Sequence, residues 1–214
     1  MEDRVFSVIG FGYHCESMAN LLNSEGIGLG WDRDTRLLII LLDNNDSDTF
    51  IIRLCKKVKE KRCRTVVLTF NPYLDIEELQ KVVDSILFNE NEREVLTIIR
   101  TLRDVIYQHN IWCYDMNDVI CFLKSFKTGK CSFQEYHFTG LNLSDIGEGI
   151  LEFEYIPTKR FLTLMRFCQP VDGNIYTEMD FVCKEIGSFP ICSGVVDNSL
   201  PFSTLDIITI TQNI

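Results

Sequence analysis

The chain is poor in the residues that most often hold metal or drive chemistry unaided. Its 214 residues include only three histidines, and these are too scattered to build a zinc site with the nine cysteines. No two cysteines have C-x-x-C spacing and their number is odd, which speaks against both a redox pair and a secreted disulfide framework. Met1-Glu2-Asp3-Arg4 leads directly into a short apolar segment with no signal peptide, so a reducing, cytoplasmic setting is expected. Basic residues are also in deficit. With 21 Lys and Arg against 31 Asp and Glu, the net charge is -10, which argues against a nucleic-acid partner. No apolar run approaches a membrane span. A Walker loop, a Ser/His/Asp order, a Pro/Gly/Ser linker, internal repeats and low-complexity tracts are all missing.

What is present is a globular composition, 46% hydrophobic and 24% charged, enough to bury a proper core. Cys55, Cys121, Cys168 and Cys183 sit among apolar neighbours and read as small buried hydrophobes. The basic run Lys56–Arg64 alternates with apolar positions and reads as the solvated face of a helix.

The hydrophobic pattern then sets an order of elements. Val5–Ile9 reads as a strand and Glu16–Asn23 as an amphipathic helix. Gly26, Gly28 and Gly30 mark a loop before Arg36–Leu42 (RLLIILL), a continuous apolar run typical of a parallel strand covered on both faces. Helix over Thr49–Lys61, strand over Thr65–Phe70, helix over Ile76–Val83 and strand over Ser85–Phe88 follow. A long stripe through Val95, Ile98, Ile99, Leu102, Val105 and Ile106 predicts a central helix, and another is expected over Asp118–Phe126. Glu90, Glu92 and Glu94 are placed at the start of the central helix, where its dipole favours anions.

Beyond that point strands dominate: Ser132–Phe138, Leu151–Tyr155, Phe161–Phe167, Ile191–Val196 and Thr204–Thr211, with one helix over Tyr176–Ile186. The expectation is an α/β protein, a doubly wound parallel sheet over residues 1–126, followed by an α+β subdomain over residues 127–214.

Several of these segments resemble the FtsZ/tubulin superfamily, in collinear order across nearly the whole chain. VIGFGYHCESMAN resembles the first glycine loop, I-G-x-G-G-x-G-x-N-x-x-N, with Gly10, Gly12 and Asn20 in matching positions. DTRLLIILLDN and TVVLTFNP resemble the signature strand and the strand after it. LDIEELQKVVDSILFNENE resembles the helix-strand passage containing V-D-T, here Val83-Asp84-Ser85. NIWCYDMNDV resembles the loop after the central helix, L-I-N-x-D-x-x-D-V, and CSGVVDNSLPFSTLDIITITQ resembles the C-terminal strands. The resemblance implies a truncated FtsZ-like domain of a polymer-forming class that binds GTP.

Two departures bear on that implication. Only about a dozen residues separate the first helix from the signature strand, where the family has further phosphate-contacting elements. The family signature G-G-G-T-G-T/S-G is also absent, its place being held by Asp43-Asn44-Asn45-Asp46-Ser47-Asp48. Glycines at a helix start let backbone N–H groups reach phosphate oxygens. Aspartates there set like charges together, at roughly 1 kcal/mol per pair about 4 Å apart in water and about 4 at a partly buried site. Their side chains can also cap the helix and consume its N–H groups. Gly10, Gly12, Asn20, Asp43, Asn44, Asp46, Ser47 and Asp48 are therefore expected to be a nucleotide-site relic without cofactor, Tyr13 and His14 crowding the other loop. The ordinary reading of a G-x-G is a tight strand-to-helix turn.

The loop after the central helix keeps more of the family pattern. In the family it enters the nucleotide pocket of the next subunit, and its acids position the attacking water. The matching acids are Asp115 and Asp118, with Cys113 where the family has Asn. The resemblance implies a partner surface made of Trp112, Cys113, Asp115, Asn117 and Asp118. The structural alternative is that Asp115 or Asn117 caps the helix beginning near Asp118. Trp31, Tyr13 and Trp112 are candidates for partner contact, with core packing as the alternative. The expected role is a pseudo-GTPase that binds FtsZ, a related tubulin-like polymer or itself head to tail and regulates assembly in cell division. Alternatives are a nucleotide-independent structural or membrane-remodelling protein and an ordinary small-molecule binder.

Overall fold

The computed structural model describes residues 5–43, 48–108, 115–138, 158–168 and 191–212. The first part alternates strand and helix: β1 (Phe6–Phe11), α1 (Tyr13–Ser24), β2 (Gly28–Leu29), β3 (Leu37–Leu42), α2 (Asp48–Glu60), β4 (Arg64–Thr69), α3 (Glu77–Val82), β5 (Ser85–Phe88), α4 (Glu92–Tyr107) and α5 (Met116–Leu123). Strands β6 (Thr128–Phe138), β7 (Lys159–Phe167), β8 (Ile191–Val196) and β9 (Ser203–Gln212) complete it. The strand expected at Leu151–Tyr155 and the helix expected at Tyr176–Ile186 lie outside the described residues.

All these strands join one sheet in the order β2-β1-β3-β4-β5-β6-β9-β7-β8. Pairing is parallel from β2 through to the start of β6 and antiparallel from β6 to β9 and from β9 to β7, with β8 parallel to β7. The fold is therefore α/β with a mixed sheet.

The apolar run of β3 shows why helices cover both faces. Side chains alternate along a strand, so Leu37, Ile39 and Leu41 enter one core while Leu38, Ile40 and Leu42 enter the other. The first core receives the buried stripes of α1, α4 and α5, and the second those of α2 and α3. Each fully buried aliphatic side chain contributes about 1.5–3 kcal/mol. Ile40→Asn would strand an amide in a core that offers it no partner.

Chain direction fixes where a ligand crevice falls. From β1 the chain crosses to β2 on one side, then returns to β3 on the other side. The strand order thus reverses between β1 and β3, and in such sheets the crevice opens at the strand C-termini there.

Helix α4 ties the two parts of the sheet together. Asn91 caps it by accepting from the N–H groups of Arg93 and Glu94, and Val95, Ile98, Ile99, Leu102 and Val105 form its buried stripe. Glu90 precedes the helix, so only Glu92 and Glu94 lie in its first turn. The Glu94 carboxylate accepts from Asn89 Nδ2 at 3.0 Å and from Phe133 N of β6 at 3.4 Å. Further along, Arg100 clamps Glu25, after α1, through Nε (2.7 Å) and Nη2 (2.5 Å). Asp104 receives Arg166 Nη1 of β7 at 2.7 Å, and Arg166 Nε reaches Asp206 of β9 at 2.9 Å. Burial opposes the Arg166 charge, but Asp206 and Asp104 together hold its pKa above the ordinary value.

The cysteines split. Cys55 is buried as expected, and burial pushes its thiol up to about 12. Cys168 is half-buried. Cys121 is exposed, a correction to the sequence reading: it lies on the outer face of α5, whose buried residues are Met116, Val119, Phe122 and Leu123. Cys183 lies outside the described residues. No helix among the described residues is long and apolar enough to cross a membrane.

Candidate functional site

The crevice between β1 and β3 is built from Gly10, Gly12 and Asp43. A β-carbon on Gly10 would run into the backbone of Cys15 and sit 2.5 Å from Glu16 N, so this glycine lets α1 pack directly on β1. Gly12 caps α1 with φ 92 and ψ 153, a region essentially confined to glycine. The G-x-G therefore makes the tight strand-to-helix turn.

Asp43, immediately after β3, faces that turn. A β-carbon on Gly12 would lie 2.7 Å from Asp43 Oδ2, so the carboxylate rests against the Gly12 backbone. Its Oδ1 is buried and meets no hydrogen-bond donor among the described residues. Helix α1 starts with no side-chain cap, so its first N–H groups suit an anion. A helix start favours an anion by about 0.3–1 kcal/mol, whereas a like charge about 4 Å away at a partly buried site costs about 4.

Further acids surround the turn. Glu92 approaches His14 Nδ1 at 3.9 Å across an exposed surface. Burial, followed by the fields of Asp43, Glu92 and Glu16, pushes the Cys15 thiol up to about 12. Three aromatic rings project nearby: Tyr13 after β1, Phe50 at the start of α2 and Tyr73 after β4 are 84%, 61% and 90% exposed. Phe50 meets Phe11 edge-on at 5.8 Å between centroids. Next to this end, Phe70, Pro72, Phe88, Asn89, Glu90 and Lys130 line a cavity of about 160 Å³.

Other residues of the expected relic are placed differently. Asn20 is exposed on α1, about 10 Å along the helix from the turn. Asp48 opens α2, while Asn44, Asp46 and Ser47 lie outside the described residues. Trp31 is half-buried against the second core, with Lys57 Nζ 5.8 Å from its ring centroid.

Asp115 and Asp118 come together at the other end of the sheet as a capping box. Asp115 accepts from Asn117 N at 2.6 Å and Asp118 N at 3.3 Å, and Asp118 Oδ2 accepts from Asp115 N at 2.9 Å. The side chain of Asn117 accepts from Arg36 Nη2 at 2.8 Å, which anchors the start of α5 beside the N-terminal end of β3. Strand β3 separates this turn from the Gly12–Asp43 crevice by about 20 Å. Both carboxylates are thus explained as helix-starting groups, and Asp115 remains exposed. Trp112 and Cys113 lie outside the described residues.

No family model matches the sequence, and no curated protein matches it. Solved structures do. CetZ from Methanosaeta thermophila aligns with TM-score 0.62 at 8% identity over 98% of this chain and 87% of its own. An empty FtsZ dimer from M. jannaschii aligns with TM-score 0.58 at 12% identity over 84% of this chain and 64% of its own. A GTPγS-bound protofilament of CetZ2 from Haloferax volcanii aligns with TM-score 0.50 at 11% identity, covering 92% and 71%. The class is thus an α/β fold with its crevice at the β1/β3 switch point. Within that class, the chain has an FtsZ/tubulin-like fold. It spans less than two thirds of the FtsZ chain it matches.

Proposed function

We propose that this protein is a pseudo-GTPase of FtsZ-like fold, which does not bind GTP and regulates an FtsZ- or tubulin-like polymer by docking head to tail. The observation that carries the proposal is the Asp43 carboxylate resting on Gly12, where a phosphate would approach the turn. The opposite end keeps an exposed Asp115 on an ordered turn. A subunit competent at one end adds to a filament and stops its growth, because heterologous assembly needs both surfaces. In this reading Asp115 and Asp118, with Asn117, Trp112 and Cys113, enter the partner's pocket, and Gly10, Gly12, Asn20 and the Asp43–Asp48 turn are relics. The chain supplies no enzymatic activity alone, and it works in the cytosol in the control of division.

The domain boundary belongs to the proposal as well. Residues 1–126 form the truncated nucleotide-type domain and residues 127–214 the C-terminal subdomain, the division falling just before β6, where pairing turns antiparallel. Co-sedimentation with an FtsZ and GTP tests the whole. Polymer mass or GTP turnover should change on adding the chain, and no change in either sinks the reading. A second reading, self-assembly without nucleotide, is supported by the exposed Tyr13, Phe50 and Tyr73. Light scattering of the protein alone, with and without GTP, separates the two.

A further inference from the structure

The N-terminal end of the sheet carries a concentration of cations, only part of which the fold accounts for. Lys59 lies in the last turn of α2, Arg62 in the turn after it, Arg64 at the start of β4, Lys124 at the end of α5 and Lys127 just before β6. Asp84 sits among them, receiving Arg64 Nη1 at 3.4 Å, Lys124 Nζ at 3.7 Å and Thr65 N at 2.9 Å. No ion pair joins Lys59, Arg62 or Lys127 to a carboxylate among the described residues. Helix dipoles explain a cation at the end of α2 and another at the end of α5. Of the other three, Arg64 pairs with Asp84 and Lys127 donates to the Val83 carbonyl, which leaves Arg62.

Arg62 supplies a second, independent observation. Its φ of 61 is left-handed, and it follows α2 in the position where a helix usually ends on glycine. Here an exposed arginine stands instead, at a cost in backbone strain that glycine would not incur. Nearby, burial, together with the like charges of Lys59 and Lys124, lowers the pKa of Lys127 against the pull of Asp84. Among the described residues, Asp84 is the one carboxylate that pairs with these five cations.

We propose that the collar of Lys59, Arg62, Arg64, Lys124 and Lys127 is a docking site for an acidic segment of a partner protein. Charge complementarity selects a carboxylate-bearing polypeptide. A flat anionic membrane or a nucleic acid would press its dense negative charge against a chain of net charge -10, whereas spaced carboxylates can reach the collar singly. This goes beyond the polymer reading and does not rest on it, since the two are tested with different partners.

The test is fluorescence anisotropy of a fluorescein-labelled oligoglutamate peptide titrated with the full chain, with oligolysine as control. Wild type binds oligoglutamate saturably and loses it as salt rises. Lys59→Glu weakens binding about tenfold. Arg62→Gly also weakens binding, yet raises the midpoint of thermal unfolding, an opposition that a purely structural role for Arg62 does not produce. Absence of saturable oligoglutamate binding, or equal binding by both variants, overturns the proposal. So does sedimentation with phosphatidylserine vesicles, or self-association by sedimentation velocity, that Lys59→Glu abolishes while oligoglutamate does not bind.

Discussion

Asp43 and Gly12 are locked face to face: the carboxylate after β3 rests on Gly12 of the α1 turn, which has no side chain to push it away. This relationship predicts coupled stabilities. Gly12→Ala forces a side chain into a glycine-only backbone region and into the carboxylate, for an expected loss of about 2–4 kcal/mol in urea unfolding. Asp43→Ala in the same chain should recover about 1 kcal/mol of that loss. It should recover none of the loss from Gly10→Ala, where the obstacle is the backbone of Cys15 and Glu16.

Capping and partner chemistry at Asp115 can be separated. Asp115→Ala removes acceptors from two backbone N–H groups, with an expected cost of about 1 kcal/mol. Asp115→Ser keeps a good cap and should unfold within a few tenths of a kcal/mol of wild type. Both lose the carboxylate, so on the docking reading both weaken co-sedimentation with polymer. Loss of binding in Ala alone would make Asp115 a capping residue and nothing more.

The chain Asp104–Arg166–Asp206, its two carboxylates buried, is a polar link from α4 to the C-terminal strands. Asp104→Ala leaves Arg166 with one carboxylate in place of two and also takes the carboxylate that Arg103 pairs with. Unfolding should lose about 3 kcal/mol, because a half-buried cation loses compensation while most of its desolvation remains. Chemical denaturation followed by tryptophan fluorescence would read this directly.

Acid sensitivity follows from Glu25. The hydrogen bonds from Arg100, and then its charge, hold the Glu25 carboxyl below the ordinary 4.5 against the opposing effect of burial. A depressed carboxylate pKa gives stability that is full above the unfolded value and lost as pH falls through the folded one. Glu25→Gln should therefore cost about 1 kcal/mol at neutral pH, and the gap to wild type should close below about pH 4.5. Urea midpoints at both ends of that range check the sign.

Much of this architecture is legible in the chain because it is local. The six apolar residues of β3 read as a strand covered on both faces, and they divide between two cores. Ser85–Phe88 and Ile191–Val196 appear with the bounds their patterns predict. Long-range pairing is not legible. Asp104 interrupts the apolar stripe of α4 with no hint that its partner stands 62 residues later on β7. Arg62 reads as one cation in a basic run, because only backbone geometry shows that it occupies a left-handed position. Exposure of Cys121 could not be read from so short and apolar a helix as α5. Asp43 was recognisable as an intruder in a glycine-rich signature, but its contact with Gly12 emerges only when β1 and β3 lie side by side.

The most direct test of the account is equilibrium titration of the purified chain with a fluorescent GTP analogue, with and without magnesium. The carboxylate at Gly12 predicts a linear, non-saturating signal at micromolar concentrations that unlabelled GTP does not alter. Saturable micromolar binding displaced by unlabelled GTP would contradict the account, because the β1/β3 crevice would then be a working nucleotide site.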